Sequence, residues 1–284
     1  VGSSSWRVVG GRHVRRVLSG TIYLLSGLLG LMAFLYPFFM PITAKVAHGA
    51  GLAHSEDAPL VTGALVGLCV VALIVELQGQ AISAKTVALL GVLVAITSIL
   101  RFLEVAIPLP GGFSPVFAPI ILTGYVFGSR FGFLMGAFSL LVSGLVTGGV
   151  GPWLPYQMFT AGWAGLTAGW VGSLLRRGPL PRETFQVLIL SAFGFLWGLV
   201  YGVISNMWFW PFATGPAEQT WSPGIGLAQT LTHYATFYVV TSLGWDMARG
   251  VGNVLLIVFL GAPVIRALTR FRRRFQFLVK STDA

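Results

Sequence analysis

The amino-acid sequence predicts an all-α polytopic membrane protein, and three observations carry that expectation. Charged side chains are scarce: 18 Lys and Arg with 8 Asp and Glu make up 9% of 284 residues, against about 25% in a typical soluble chain. Hydrophobic residues supply 55%, the mean hydropathy is +0.83, and several apolar runs approach the ~20 residues that a helix needs to cross a bilayer. The basic residues are also sorted along the chain, which fixes an orientation.

Apolar runs bounded by Gly, Pro or charge fall at 17–40, 59–77, 86–107, 115–128, 131–147, 157–175, 185–210 and 245–268, which makes eight spans. The first follows a basic segment, Val1 to Arg16. It is too long and too aromatic for a cleaved signal and lacks a small-x-small cleavage site, so it reads as a retained span. The stretch 225–243 is doubtful as a crossing because it carries Gln229, Thr230, Thr232, His233 and Thr236. Orientation decides its place. With eight spans and both termini cytoplasmic, only Lys45, Arg101 and Arg249 of the 18 basic residues lie on the outer side. A ninth crossing would carry the C-terminal basic cluster outside, so 225–243 is expected as a lateral or re-entrant helix on the outer face. The net charge of +10 then reports topology and anionic lipid, and no nucleic-acid partner is expected.

The chain divides at Gln78-Gly79-Gln80 into an N-terminal transmembrane helical hairpin, residues 1–82, and a six-span unit, residues 83–284. The outer loop of the hairpin, Ala47 to Ala58, holds His48, His54, Glu56 and Asp57, but without a tight ligand spacing it reads as a solvated polar loop, and no metal site is expected. Cys69 stands alone in an apolar run, which excludes a disulfide framework and a cysteine metal cluster.

Four groups of residues are candidates for function. Ala84, Ala88, Gly91 and Ala95 lie on one face of the first span of the six-span unit. Small residues there let another helix approach closely, either within the chain or from a separate membrane subunit. At the outer end of that span stand Arg101 and Glu104, and the last span carries Asp246, Arg249 and Asn253 on one face. Intramembrane charge costs about 2.5–3.5 kcal/mol at the bilayer centre on insertion scales, so these groups should face protein or a wet cavity. Pairing of Arg101 with Asp246 and of Glu104 with Arg249 is expected, either as a pocket wall or as a structural network. A third group, Asn206, Trp208, Trp210, Trp221, His233, Tyr234 and Tyr238, surrounds the outer loop 211–224 and suits an organic ligand with apolar faces and polar edges. Finally, Pro152 and Pro155 stiffen a turn that presents Trp153, Tyr156 and Gln157, and Gly162, Gly165 and Gly169 let the following helix pack closely. That turn fits both an interfacial aromatic belt and a gate over a ligand.

Several chemistries are missing. None of the three lysines follows a glycine, so the chain has no Walker A motif and cannot itself hydrolyse ATP through a P-loop. There is no His-Glu-x-x-His, no Gly-x-Ser-x-Gly and no Asp-rich prenyl-diphosphate motif. With eight acidic residues, mostly isolated, an enzyme is not expected, and no catalytic residue or cofactor is assigned.

The six-span unit resembles the substrate-binding S component of energy-coupling-factor (ECF) transporters. The resemblance rests on the Ala84-x-x-x-Ala88 ladder, then Pro110-Gly111-Gly112-Phe113-Ser114-Pro115 leading into Gly124-Tyr125-Val126-Phe127-Gly128-Ser129-Arg130-Phe131-Gly132. It continues in Gly151-Pro152-Trp153-Leu154-Pro155-Tyr156-Gln157-Met158, in Ser242 to Arg249 with Asn253, and in Gly261-Ala262-Pro263 before the basic tail, and covers about residues 83 to 275. The resemblance implies a multi-pass protein of the bacterial cytoplasmic membrane that captures a vitamin or vitamin precursor outside. Its partners would be a transmembrane T component and two cytoplasmic P-loop ATPases, and it would release the ligand inside by toppling in the membrane. It assigns subunit docking to Ala84, Ala88, Gly91 and Ala95, and gating to Gly111–Ser114 and Gly151–Gln157. With the residues above, the substrate site expected is Arg101, Glu104, Phe113, Trp153, Tyr156, Gln157, Asn206, Trp210, His233, Asp246, Arg249 and Asn253. The Gly151–Met158 pattern is similar to the subgroup assigned to cobalamin-type substrates, so a corrinoid is the favoured ligand, with thiamin-related and other heterocyclic vitamins open. The Met-His start of nickel and cobalt members is absent, and the N-terminal hairpin departs from the minimal six-span pattern. A membrane scaffold without a ligand and an intramembrane enzyme are the competing classes.

Overall fold

Glycine and proline set the ends of the helices, and the helices fall on the apolar runs. The computed structural model describes residues 5–35, 38, 58–78, 84–107, 113–179 and 182–275. Among these residues are α1 (Ser5–Leu35), α2 (Ala58–Gln78), α3 (Ala84–Ala106), α4 (Phe117–Phe127), α5 (Ser129–Thr147), α6 (Leu154–Leu175), α7 (Glu183–Asn206), α8 (Leu227–Thr241) and α9 (Leu243–Phe275). Two 3-10 turns, Trp210–Phe212 and Ala217–Gln219, lie between α7 and α8. No strand occurs among the described residues. The loop with His48, His54, Glu56 and Asp57, the Gly79-Gln80 joint, Lys45 and Lys280 lie outside them.

Among the described residues, four helical stretches are long and apolar enough to cross a membrane by themselves: Lys85–Ala106, Ser129–Thr147, Glu183–Phe212 and Leu243–Arg274. Gly20–Leu35, Pro59–Ala72 and Phe117–Phe127 are shorter apolar helices. α1 starts at Ser5, 12 residues before the expected span 17–40, and α4 is the shortest of these apolar helices: its 11 residues rise about 16 Å, half of a ~30 Å hydrocarbon core. Pro115 and Val116 fall in the turn before it rather than in the helix. Gly128, at φ +102°, joins α4 to α5 with a single residue, and Gly148, at φ +67°, ends α5 in the left-handed region. The polar stretch after residue 225 forms α8, a separate 15-residue helix in which only Phe237 is buried. It lies against the Ala217–Gln219 turn and α9.

α6 is the central element. It touches α1, α2, α4, α5 and α7, and an apolar helix surrounded on most sides has no need of a polar face. Its glycines make that position workable. Gly165 meets the main chain of Gly132 and Gly124, Gly162 lies under the Phe133 ring, and Gly169 meets Gly128 and Ser129. A methyl at Gly132 or Gly165 would overlap the carbonyl of the other. Between apolar helices in lipid there is no hydrophobic gain to drive association, so such close backbone approach supplies the attraction. α1 and α2 also touch α6: on α1, Gly30 lies under Phe159 and Trp163 and the Phe34 ring stands 4.9 Å from Tyr156, while the Tyr23 ring stands 5.8 Å from Phe133 of α5.

α9 is the longest helix, 33 residues with Pro263 inside it. Its first half carries buried polar groups and its last turn carries Arg272, Arg273 and Arg274.

Gly165→Ala is expected to lower the thermal unfolding midpoint of the purified protein, at a cost of about 1–3 kcal/mol or more for overpacking. Gly91→Ala, where an added Cβ meets nothing within 4 Å, is expected to leave the midpoint unchanged.

Candidate functional site

A second glycine row builds the polar centre. α7 places Gly194, Gly198 and Gly202 one turn apart, and α9 runs antiparallel against them. Each glycine admits one group. Asn253 Nδ2 donates to the Gly194 carbonyl at 2.9 Å, Gly198 packs on Gly250 while Arg249 Nη1 reaches the Gly198 carbonyl at 3.4 Å, and the Asp246 carboxylate lies directly over Gly202. Asp246 and Asn253 are 2% and 0% exposed.

The charge pairing differs from the one expected. Arg249 forms its salt bridge with Asp246 on its own helix rather than with Glu104. Glu104 accepts a bond from Ser114 Oγ at 3.0 Å, and Arg101 Nη2 donates to Gln157 Oε1 at 3.4 Å instead of meeting Asp246. The i,i+3 spacing puts Arg249 beside Asp246 within one turn, and Gly202 fixes the carboxylate there. All four charges nevertheless gather, since Glu104 feels both Arg101 and Arg249. Tyr201 stands among them: the Arg249 guanidinium is 5.0 Å from its ring centroid, the Phe117 ring is 4.6 Å away, and Arg101 and Glu104 act on it. Phe113 covers Gly252 on the neighbouring face of α9. Three buried atoms here, Arg101 Nε, Asp246 Oδ2 and Asn253 Oδ1, have no hydrogen-bond partner among the described residues. A buried donor and buried acceptors left open are unusual in a packed interior.

The predicted aromatic turn leads into α6. Pro155 sits in the first helical turn, where its missing amide costs nothing. Trp153 Nε1 donates to the Gly149 carbonyl at 3.0 Å, and its ring lies 6.4 Å from Trp208. Tyr156, fully buried, stacks on Trp208 at 6.0 Å. Through Gln157 and Arg101 this turn joins the charged centre.

Asn206, Trp210 and His233 spend their polar atoms on the protein itself. Asn206 Nδ2 donates to Ser242 Oγ at 2.6 Å, Trp210 Nε1 to the Gln219 carbonyl at 2.9 Å, and His233 Nδ1 to the Thr220 carbonyl at 2.8 Å. The other ring nitrogen of His233 faces Gln229 Nε2 at 3.4 Å. Tyr234 donates to the Val203 carbonyl and packs 4.8 Å from Trp210. Together these bonds fasten the loop after α7 and α8 to the bundle.

On α3, Ala88, Gly91 and Ala95 are exposed, while the side chain of Ala84 and residues Gly111 and Gly112 lie outside the described residues. Ser114, expected in the gating segment, bonds Glu104; Tyr201 and the α7 glycines are not among the expected residues, although the four-residue spacing of Gly194, Gly198 and Gly202 is the signal that finds the seam and, with it, Tyr201.

Replacing Arg249 with Met leaves Asp246 buried without its counter-charge and is expected to cost about 3–5 kcal/mol. The double variant Asp246→Asn/Arg249→Met should recover much of that loss in a thermal unfolding comparison.

A family model described as the S component of the ECF-type riboflavin transporter matches residues 81–268. No curated protein and no solved structure matches. The matched stretch is more than half of the chain and includes every residue around Tyr201. S components are membrane transport proteins rather than enzymes, and the chain belongs to the family of ECF-type riboflavin transporter S components.

Proposed function

We propose that the protein captures a planar heterocyclic vitamin, a riboflavin-type ligand first among them, at the outer end of the bundle between α3, α7 and α9. The observation that carries this reading is the set of open buried atoms, Arg101 Nε and Asn253 Oδ1 with Asp246 Oδ2, in the centre that also holds the aromatic rings of Phe113, Phe117 and Tyr201. A flat ring system with hydrogen-bonding edges satisfies both features. Arg101, Glu104, Phe113, Gln157, Asp246, Arg249 and Asn253 form the proposed contact set. Trp153 and Tyr156 border it, and Asn206, Trp210 and His233 hold its outer cover in place. A corrinoid, the ligand expected from the 151–158 pattern, draws no support from the matched family, whose described ligand is riboflavin.

The same reading has eight membrane passes, with residues 1–82 as a hairpin bracing α6 and residues 83–284 as the six-helix core. Both termini are cytoplasmic, in the inner membrane of a bacterium. The exposed small face of α3, with Ala88, Gly91 and Ala95 in line with Ala84, docks a T component that carries two P-loop ATPases. Toppling in that complex delivers the ligand inside.

Titration of the purified protein with riboflavin, cobalamin and thiamin, followed by quenching of tryptophan fluorescence, tests the ligand. Saturable binding of riboflavin is expected, weakened about tenfold or more in Arg101→Met and in Asn253→Ala, since a buried polar group left unpaired costs about 1–3 kcal/mol. Binding of cobalamin alone would restore the corrinoid, and binding of none would favour a scaffold. Ala88→Trp and Gly91→Trp are expected to abolish co-purification with the T component and ATPases while leaving ligand affinity intact; loss of affinity instead would put that face inside the fold.

A further inference from the structure

The end of the bundle opposite the Tyr201 centre holds a cavity of about 600 Å³, bounded by the C-terminal ends of α4 and α6, the first turn of α7 and the last turns of α9. Its walls carry Arg176, Arg266, Arg270, Arg272 and Arg273 against a single carboxylate, Glu183. Three of the arginines are held in place. Arg176 Nη1 donates to the Tyr125 carbonyl at 2.8 Å and Arg272 Nη1 to the Val126 carbonyl at 2.7 Å, so both guanidinium groups are pinned to the carbonyl end of α4. Arg266 pairs with Glu183 at 2.8 Å, which uses the only acid in the wall. Arg270 and Arg273 have no hydrogen-bond or ion-pair partner among the described residues. Burial, together with the neighbouring charge of Arg272, pushes the Arg176 guanidinium below its ordinary value. Like charges are thus gathered around a space with one carboxylate, Glu183, among the described residues.

We infer that this cavity is a phosphate-binding site, filled by the headgroup of an anionic phospholipid or by a soluble phosphate compound. Planar guanidinium forks donate in pairs to phosphate oxygens, and fixed forks lose little freedom on binding. The volume exceeds what one small inorganic ion requires, and Val126 and Ile265 add apolar wall beside the arginines, which suits a headgroup with its glycerol. Basic pockets between helices at the positively charged end of a membrane protein lie at headgroup depth.

Native mass spectrometry of the full chain in detergent tests the assignment, with phosphatidylglycerol, phosphatidylcholine and inorganic phosphate as probes. Phosphatidylglycerol or inorganic phosphate is expected to bind in preference to phosphatidylcholine, and Arg270→Gln/Arg273→Gln to weaken that binding about tenfold or more. Arg177→Gln/Arg274→Gln removes the same charge from exposed positions outside the cavity wall and should leave binding unchanged. None of these four side chains makes a hydrogen bond or ion pair among the described residues, so both double variants should keep the parent unfolding midpoint; Arg270→Gln alone serves if the pair does not fold. Displacement of the lipid by millimolar phosphate identifies a soluble ligand, and retention identifies the headgroup. Equal weakening by the two double variants, or no preference for either phosphate probe over phosphatidylcholine, overturns the site.

Discussion

Close approach of backbones through glycine is the constraint on which the rest of this structure depends. α6 reaches α4 and α5 through Gly165, Gly169, Gly132 and Gly124, and α7 reaches α9 through Gly194, Gly198 and Gly202. In a bilayer the tails are as apolar as the side chains, so helices gain little by hiding leucine from lipid and gain more by dispersion at short range. The second seam has a chemical effect as well. A glycine exposes the carbonyl of its own turn, and Asn253 and Arg249 use the carbonyls of Gly194 and Gly198 as acceptors. Polar groups that would be costly in lipid are thereby satisfied by backbone.

The two ends of the bundle differ in charge. Around Tyr201 two cations, Arg101 and Arg249, face two carboxylates, Glu104 and Asp246, and their formal charges cancel. Such a centre offers directional bonds without net attraction for ions, which fits a neutral ligand recognised by its edges. At the other end the arginines outnumber the single Glu183, which fits an anion. One helix bundle therefore presents two environments that select for opposite properties.

Much of this was legible in the sequence. Long apolar runs bounded by Gly and Pro gave the helices, and the threonines, Gln229 and His233 of 227–241 marked α8 as a segment set apart. The charged centre was legible as a set of residues but not as a set of pairs. A local i,i+3 contact between Asp246 and Arg249 closes no loop and competes well with a contact between distant helices, yet sequence alone does not reveal that Gly202 lies beneath the carboxylate. Trp210 and His233 read as ligand contacts because an indole and an imidazole in an outer loop resemble binding groups. Their partners are the carbonyls of Gln219 and Thr220, set by a loop path that no spacing rule encodes. Tyr201 is not legible as a site residue because one aromatic residue on an apolar helix reads as packing. The length of α4 was overestimated because Pro115 and Val116 continue the apolar run while belonging to the turn.

α9 contributes arginines to both ends, Arg249 at one and Arg266, Arg270, Arg272 and Arg273 at the other. From Asn253 to Arg273 it runs unbroken, a distance of about 30 Å at the rise of an α-helix, and it behaves as a rod gripped at each end. At Pro263 the chain has no amide to offer the Phe259 carbonyl, so bending stiffness is lowest there. A rotation of α9 that moves Asn253 is passed to the arginines except for the part absorbed at Pro263, which makes that proline the natural limit on how far movement at one end of the bundle is felt at the other.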